Sequence, residues 1–167
     1  PYEIDPITLE TLGVADFDGP GTRISAHSRP DEHTGELMFF DYNVKAPYMV
    51  YGVVGPDRKL KHKIEIPLDN PGLPHDMAIT QNYTILHDFP LRPDPDALAA
   101  GRYKLKFNAD QPSRFAVVPR YGSADQIQWF EAKPTYMLHV VNAWEEGDEV
   151  VMVGTPYRIY ESEDGTL

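Results

Sequence analysis

The sequence predicts an all-β fold, on three observations. Its 167 residues include 16 prolines and 12 glycines, which disfavour helices. They also include 10 tyrosines and 7 phenylalanines, which favour pleated, half-buried strands. Short aromatic or β-branched runs recur at roughly even spacing between turn residues. Many short strands of this kind are typical of a sandwich, a barrel or a propeller, and the pattern alone does not separate the three.

The first half of the chain begins with a polar, turn-rich segment over residues 1–23, in which residues 18–21 (Asp-Gly-Pro-Gly) indicate a tight loop. Strands are predicted over residues 36–42, 48–54 and 60–66. Apolar and polar residues alternate over 60–66, which indicates a strand with one solvated face. Residues 55–58 (Gly-Pro-Asp-Arg) predict the hairpin turn before it.

The second half of the chain continues with strand-like residues 77–86, interrupted by a turn at Gln81-Asn82. Residues 90–101 are rich in proline and predict an excursion with one turn of helix. Further strands are predicted over residues 103–107, 114–119, 127–130, 136–143 and 149–153. A propeller blade takes about 40–45 residues in the best-described repeat class, so the chain supplies about four blades at most.

The composition excludes several classes of function. A formal net charge of −11 without a basic stripe repels nucleic acid and anionic lipid headgroups, although apolar contact with a membrane surface stays open. The absence of cysteine excludes disulfides, Cys-ligated zinc and iron–sulfur clusters. Any metal must therefore be held by histidine or carboxylate. We expect a cytoplasmic location, with which the lack of cysteine is compatible.

The ends of the chain predict that it is an internal piece of a longer protein. It begins with Pro-Tyr rather than methionine, and it stops directly after a strand-like run. No signal-peptide pattern is present, and no apolar run approaches the ~20 residues of a transmembrane helix. We therefore expect residues 1–167 to form one incomplete domain.

The histidines are the residues best suited to carry chemistry. Three have polar or strand-end contexts that favour a solvated or packing role, namely His33, His62 and His87. The other three lie at or inside apolar segments, namely His27, His75 and His139. Burial of a charged imidazolium is costly, so each of these should be neutral and either hydrogen-bonded or bound to a metal. Because the short-range metal signatures are missing, a shared site would have to be assembled from distant strands.

Two other groups have competing interpretations. The acidic residues 144–149 (Trp-Glu-Glu-Gly-Asp-Glu) suit a hard-cation site or a solvated turn, and the turn is the stronger interpretation. A set of aromatic residues could line an apolar substrate tunnel or form strand core, and core is favoured. That set is Phe39, Phe40, Tyr42, Tyr48 and Tyr51.

The sequences around the three histidines in apolar segments resemble the metal-ligand motifs of the carotenoid cleavage oxygenase family. Those motifs are residues 25–31 (Ser-Ala-His-Ser-Arg-Pro-Asp) with 34–37, residues 73–83 (Leu-Pro-His-Asp-Met-Ala-Ile-Thr-Gln-Asn-Tyr), and residues 138–151, which open Leu-His-Val-Val-Asn. Residues 7–13, 114–121 and 129–130 also match the family's pattern. The histidines are 48 and 64 positions apart, which in a propeller moves each one on by a blade or somewhat more.

The resemblance implies a seven-bladed β-propeller with Fe(2+) on its axis, held by four histidines. His27, His75 and His139 correspond to the first three ligands. The fourth, and the glutamates that hydrogen-bond the imidazoles, would lie outside this chain, which would supply about three to four blades. Ser28 departs from the proline that many members have there, which puts the local loop geometry in doubt but not the ligand.

The activity implied by the resemblance is that of a dioxygenase. It would cleave a carbon–carbon double bond of a carotenoid or apocarotenoid with O2 and release two carbonyl products. Two alternatives stay open: cleavage of a stilbene-type aryl alkene, and an inactive fragment or non-catalytic propeller binding module. The 167 residues alone are expected to turn over no substrate, because three ligands without their supporting glutamates should bind iron weakly.

Overall fold

A computed structural model describes residues 1–17 and 22–157. Within these residues, antiparallel strands account for almost all regular structure. The strands are β1 Tyr2–Ile4, β2 Thr11–Val14, β3 Arg29–Pro30, β4 Leu37–Tyr42, β5 Met49–Val54, β6 Leu60–Glu65, β7 Ala78–Ile79, β8 Tyr83–Asp88, β9 Leu91–Pro93, β10 Leu105–Phe107, β11 Ser113–Pro119, β12 Gln128–Ala132, β13 Tyr136–Glu146 and β14 Glu149–Tyr157. The helices are α1 Pro95–Ala99 and a 3-10 turn over Ala124–Gln126.

The first four-stranded sheet has the order β3-β4-β5-β6. Its three longer strands begin within one residue of the predicted starts. The hairpin turn predicted at residues 55–58 is confirmed, since the N–H of Arg58 donates to the Gly55 carbonyl at 2.9 Å. Strand β6 alternates between half-buried and exposed residues, as the sequence pattern predicts.

The second four-stranded sheet has the order β12-β11-β8-β7. The predicted turn at Gln81-Asn82 joins β7 to β8, and the Thr80 N–H closes it on the Tyr83 carbonyl at 2.8 Å. Strand β8 is buried on both faces because the sheet is covered on both sides. Leu86 belongs to one core cluster and its neighbour Ile85 to the other.

Two core clusters separate the sheets. One lies between the two four-stranded sheets and contains Phe40 and Tyr51, each 0% exposed. The other lies between the second sheet and the β13–β14 hairpin. Phe39 is also fully buried, while Tyr42 and Tyr48 are half-buried. The five aromatics are therefore mainly strand core.

The connection between the second sheet's strands β8 and β11 contains a small two-stranded sheet, β9–β10, with α1 between its strands. The predicted single turn of helix is confirmed. Asp94 caps it, because its carboxylate accepts hydrogen bonds from the N–H groups of Asp96 and Ala97 at 3.0 and 3.3 Å. None of the described helices is long and apolar enough to cross a membrane.

The N-terminal segment departs from the sequence prediction. Residues 1–23 were expected to be turn-rich, yet β1 and β2 form an antiparallel hairpin. Its apolar side chains are largely exposed, Ile7 at 90% and Leu9 at 76%, so no buried face imposes a period of two on the sequence. The tight loop predicted at residues 18–21 lies outside the described residues.

Candidate metal centre

Three histidines from distant parts of the chain converge on one point. Their ring centroids are 4.6 Å apart for His27 and His75, 5.0 Å for His27 and His139, and 5.2 Å for His75 and His139. One ring nitrogen from each lies within 4.8 Å of the other two. The planes of the rings are inclined by 57° to 68°, so the imidazoles approach this point from different directions. Within the described residues, no other trio of histidine and carboxylate side chains meets in this way.

His27 lies in the segment that runs into the edge of the first sheet. The N–H of Ser25 donates to the Phe40 carbonyl at 2.8 Å, and Arg29 pairs with Met38 where β3 joins β4. These contacts fix the backbone on both sides of His27. The ring is half-buried.

His75 lies just before β7, between two buried residues, Pro74 and Asp76. Met77, two residues further on, is fully buried in the core between the four-stranded sheets, and Ala78 begins the pairing with β8. The position of His75 is therefore fixed by the residues that follow it, where the chain joins the second sheet. Its ring is half-buried.

His139 lies on β13 where the strand's pairing is irregular. Met137 pairs with Pro156 and Val140 with Gly154, so β13 carries one more residue than β14 in this interval. A second irregularity follows between Val140 and Asn142. Such bulges redirect side chains, and here the bulged interval contains the histidine. His139 is exposed in this chain.

The surroundings of His75 favour its neutral form. Burial lowers the pKa of His75, and the neighbouring His27 and His139 lower it further, against the opposing effect of Asp76. A neutral imidazole offers a lone pair to a cation. The Nε2 atoms of His27 and His75 are 3.0 Å apart, a contact that needs either a shared proton or a shared cation.

The donor set fits a transition-metal ion. Two nitrogens bound about 2.1 Å from one ion, at a right angle, lie about 3.0 Å apart, which is the observed Nε2–Nε2 separation. Imidazole nitrogen suits iron, zinc, copper and nickel better than magnesium or calcium. Among the described residues, no carboxylate hydrogen-bonds any of the three rings, and no fourth histidine joins them.

The remaining histidines lie away from this centre. His33 is exposed, as expected, and His87 is 1% exposed in a packing role. The expectation that His62 is solvated was wrong: its Nε2 lies 3.1 Å from the Gly122 carbonyl, and its ring is half-buried. In a strand with a period of two, His62 shares the inner face with Leu60 and Ile64.

The acidic segment over residues 144–149 is a hairpin turn. Glu146 pairs with Glu149 across Gly147-Asp148, where Gly147 has a φ of 63° that favours glycine. The Glu145 carboxylate does not point to a cation site, because it accepts hydrogen bonds from Thr80 Oγ1 at 2.6 Å and from the Asn82 N–H at 2.7 Å. The turn interpretation is the one that these contacts favour.

Two ion pairs were not predicted from the sequence, and their carboxylates, Asp76 and Asp31, are only 1% and 10% exposed. Arg29 pairs with Asp76 at 2.7 Å, and Arg120 pairs with Asp31 while also donating to the Thr80 carbonyl. The Arg120 guanidinium lowers the pKa of Asp31. The sequence offers one indication of the Asp76 pair: Asp76 lies directly after His75 and directly before an apolar run, where a carboxylate is unusual.

Comparison with known proteins places the chain in a family. The family model described as retinal pigment epithelial membrane protein matches residues 1–164. Carotenoid 9,10(9',10')-cleavage dioxygenase 1 of Pisum sativum is 38% identical over 148 residues, which cover 87% of this chain and 27% of the relative. Isoeugenol monooxygenase of Pseudomonas nitroreducens is 37% identical over 158 residues, which cover 90% of this chain and 32% of the relative. The chain thus spans about a third or less of these curated relatives.

Solved structures match the fold over most of the chain. Lignostilbene dioxygenase of Pseudomonas brassicacearum has a TM-score of 0.81 and 34% identity, covering 91% of this chain and 33% of that one. Cobalt-substituted Synechocystis ACO has a TM-score of 0.79 over 99% of this chain and 37% of that one, and at 22% identity it shows the fold alone. The predicted all-β, partial-propeller class is confirmed. The chain belongs to the retinal pigment epithelial membrane protein family, which is the family of the carotenoid cleavage oxygenases.

Proposed function

We propose that this chain supplies three histidine ligands, His27, His75 and His139, to an iron(II) dioxygenase. The enzyme would cleave a carbon–carbon double bond of a carotenoid or apocarotenoid. Both atoms of O2 would enter the products, one in each of two carbonyl groups. The convergence of the three imidazoles is the observation that carries the proposal. We further infer that residues 1–167 form about three to four blades of a seven-bladed ring.

The role of the histidines is to bind and orient. When bound, ferrous iron would supply the ability to activate O2 for insertion across the alkene. Neutral imidazoles add no negative charge to the site, which favours the +2 state of the metal over the +3 state. The three rings approach from different directions, so they restrain an ion while leaving other positions free. None of them has to act as a general base, because the overall cleavage transfers no proton from the alkene.

An aryl alkene is the second candidate substrate. The support is specific: the chain is 34% identical to a lignostilbene dioxygenase and 37% identical to an isoeugenol monooxygenase, both over about nine-tenths of its length. The 38% identity to the Pisum sativum carotenoid 9,10(9',10')-cleavage dioxygenase supports the carotenoid substrate equally well. A choice between them needs an assay.

That assay uses the full-length protein, loaded with Fe(2+) and supplied with O2. An apocarotenal and a hydroxystilbene are offered separately, and the carbonyl products are identified by mass spectrometry with 18O2. Cleavage of the apocarotenal alone supports the first candidate, and cleavage of the hydroxystilbene alone supports the second. His139→Ala should abolish turnover of either, whereas His33→Ala, an exposed histidine outside the cluster, should not.

The non-catalytic hypothesis makes the opposite forecast. A binding propeller would take up a lipophilic alkene and return it unchanged, with or without iron. Turnover by the full-length protein that depends on iron would exclude this. The isolated 167 residues are expected to be inactive in either case, since no carboxylate among the described residues hydrogen-bonds the imidazole rings directly.

A further inference from the structure

The carboxylate of Asp76, directly after His75 in the chain, is buried and accepts hydrogen bonds on both of its oxygens. Asp76 is 1% exposed. Its Oδ1 accepts from the backbone N–H of Met77 at 2.7 Å, and its Oδ2 accepts from the backbone N–H of Val140 at 2.8 Å. Nη2 of Arg29 lies 2.7 Å from both oxygens. Donors thus surround the charge that burial would otherwise make unfavourable.

These partners belong to the three chain segments that carry the histidines. Each segment contributes a residue within two positions of its histidine: Arg29 for His27, Asp76 for His75, and Val140 for His139. Arg29 also donates from Nε to the Met77 carbonyl at 2.9 Å, so its guanidinium contacts both side chain and backbone of the second segment. One carboxylate therefore joins three segments that are otherwise 48 and 64 residues apart.

We propose that Asp76, paired with Arg29, is a positioning residue that sets the spacing of His27, His75 and His139 for a metal ion. The inference rests on the proposed function, because it assigns a role toward the metal that those histidines would hold. Its physical reason is geometric. The His139 backbone lies in a bulge, where the regular pairing of β13 with β14 is interrupted, and the bond from the Val140 N–H to Asp76 restrains that backbone relative to His75.

A purely structural role is the competing explanation, and the chain contains a matched control for it. Asp88 is also buried, at 3% exposure, and it pairs with two arginines, Arg92 at 2.6 Å and Arg114 at 2.5 Å. Neither arginine is adjacent to one of the three histidines. Loss of the Asp88 charge should therefore destabilise the fold without moving the imidazoles.

The test compares Asp76→Asn with Asp88→Asn in the full-length protein. Asparagine keeps the shape of aspartate but replaces one acceptor oxygen with an NH2 group, which faces donors on either side of Asp76. Cobalt(II) is titrated into the metal-free protein, with affinity and ligand-field absorption as readouts, and the Tm of the metal-free protein is recorded. We expect Asp76→Asn to weaken cobalt binding by about 10- to 100-fold and to change the spectrum. Asp88→Asn should lower the Tm but keep affinity within about twofold and leave the spectrum unchanged.

Two further variants keep the test decisive if Asp76→Asn does not fold. Arg29 is one-third exposed, so its replacement should be tolerated. Arg29→Gln removes the charge and should weaken cobalt binding, while Arg29→Lys keeps the charge but loses the contact with the Met77 carbonyl and should recover part of the affinity.

Cobalt affinity and spectrum equal to those of the unsubstituted protein, in Asp76→Asn or in Arg29→Gln, would overturn the positioning role whatever happens to the Tm. The unsubstituted protein is titrated first. If it binds no cobalt, the metal centre itself is contradicted, and the role of Asp76 falls with it. Failure of the positioning role alone is thus distinguished from failure of the proposed function.

Discussion

Nε2 of His27 and Nε2 of His75 lie 3.0 Å apart, although the two residues are separated by 48 positions in the chain. A shared proton could account for that pair by itself. It does not account for His139, whose ring centroid lies 5.0 and 5.2 Å from the other two. One shared proton joins only two ring nitrogens, whereas one metal ion can bind three. The convergence of all three imidazoles therefore favours metal binding over a hydrogen bond.

A metal ion should stabilise the full-length protein through these histidines. A ligand that binds only the folded state adds about 2.7 kcal/mol to the free energy of unfolding at 100 times its Kd. We expect iron(II), added without oxygen, to raise the Tm of the unsubstituted protein but not that of His27→Ala. The exposed His33 provides the control, since His33→Ala should keep the full increase. A metal-dependent increase that survives in His27→Ala would contradict the assignment of that ligand.

Buried His87 should make the fold sensitive to acid. Its ring packs between Phe89 and Phe115, at centroid distances of 5.0 and 5.7 Å, and burial lowers its pKa from 6.5 to about 4. The unfolded chain takes up a proton near pH 6.5 and the folded chain only near pH 4. The free energy of unfolding is therefore unaffected by His87 above pH 6.5. It falls by about 3 kcal/mol as the pH drops from 6.5 toward 4, because only the unfolded chain is then protonated at His87.

The measurement for His87 is urea unfolding between pH 4 and pH 7. The free energy of unfolding of His87→Phe, in which a ring of similar size fills the site, should fall less steeply with acid than that of the unsubstituted protein. The difference between the two proteins isolates His87 from the carboxylates that titrate in the same range. Parallel profiles would show that His87 is protonated as readily when folded as when unfolded.

Tyr51 should stabilise the contact between the two four-stranded sheets through its hydroxyl. The hydroxyl accepts from Thr84 Oγ1 and donates to the Arg120 carbonyl, both at 3.0 Å, and burial raises its pKa to about 12. Tyr51→Phe leaves both partners without this bond, which should cost about 1–3 kcal/mol in the free energy of unfolding. Half-buried Tyr48, whose hydroxyl has no hydrogen-bond partner among the described residues, is the control, and Tyr48→Phe should be nearly neutral. Equal effects of the two changes would contradict this role.

Glu145 should hold the β13–β14 hairpin against the second sheet. Its carboxylate accepts from Thr80 Oγ1 and from both the backbone and side-chain nitrogens of Asn82. Glu145→Ala should lower the free energy of unfolding by on the order of 1 kcal/mol, because these bonds are partly exposed to water. Glu146→Ala, at an exposed neighbouring position, should cost less than half as much.

Acid should weaken the contact that Glu145 makes with Thr80 and Asn82. The hydrogen bond from Thr80, with those from Asn82, lowers the pKa of Glu145 in the folded protein. Its contribution is therefore present above the unfolded pKa of about 4.3 and is lost as pH falls through the lowered folded value. The free energies of unfolding of Glu145→Ala and the unsubstituted protein should converge in acid. A gap that stays constant down to pH 3 would argue against an ionised Glu145 as the acceptor.

Sequence reasoning was accurate wherever local rules act alone. Strands β4, β5 and β6 were predicted within a residue at their starts because proline and glycine turn residues bound each run, and residues 55–58 (Gly-Pro-Asp-Arg) encode their own turn. It failed for β1 and β2, which bury little and so leave no periodic signal. It also misplaced His62, because a polar residue type was weighed more heavily than its position on the inner face.

By itself, the sequence determined the all-β class, ten of the 14 described strands and the three histidines that were singled out as candidate metal ligands. Only the tertiary structure decided that those imidazoles meet, that a bulge in β13 contains His139, and that Asp76 reaches the segments that carry His27 and His139. The physical reason lies in the range of the interactions. Propensity and periodicity act over a few residues, whereas these contacts join segments 48 and 64 residues apart and depend on how whole sheets pack.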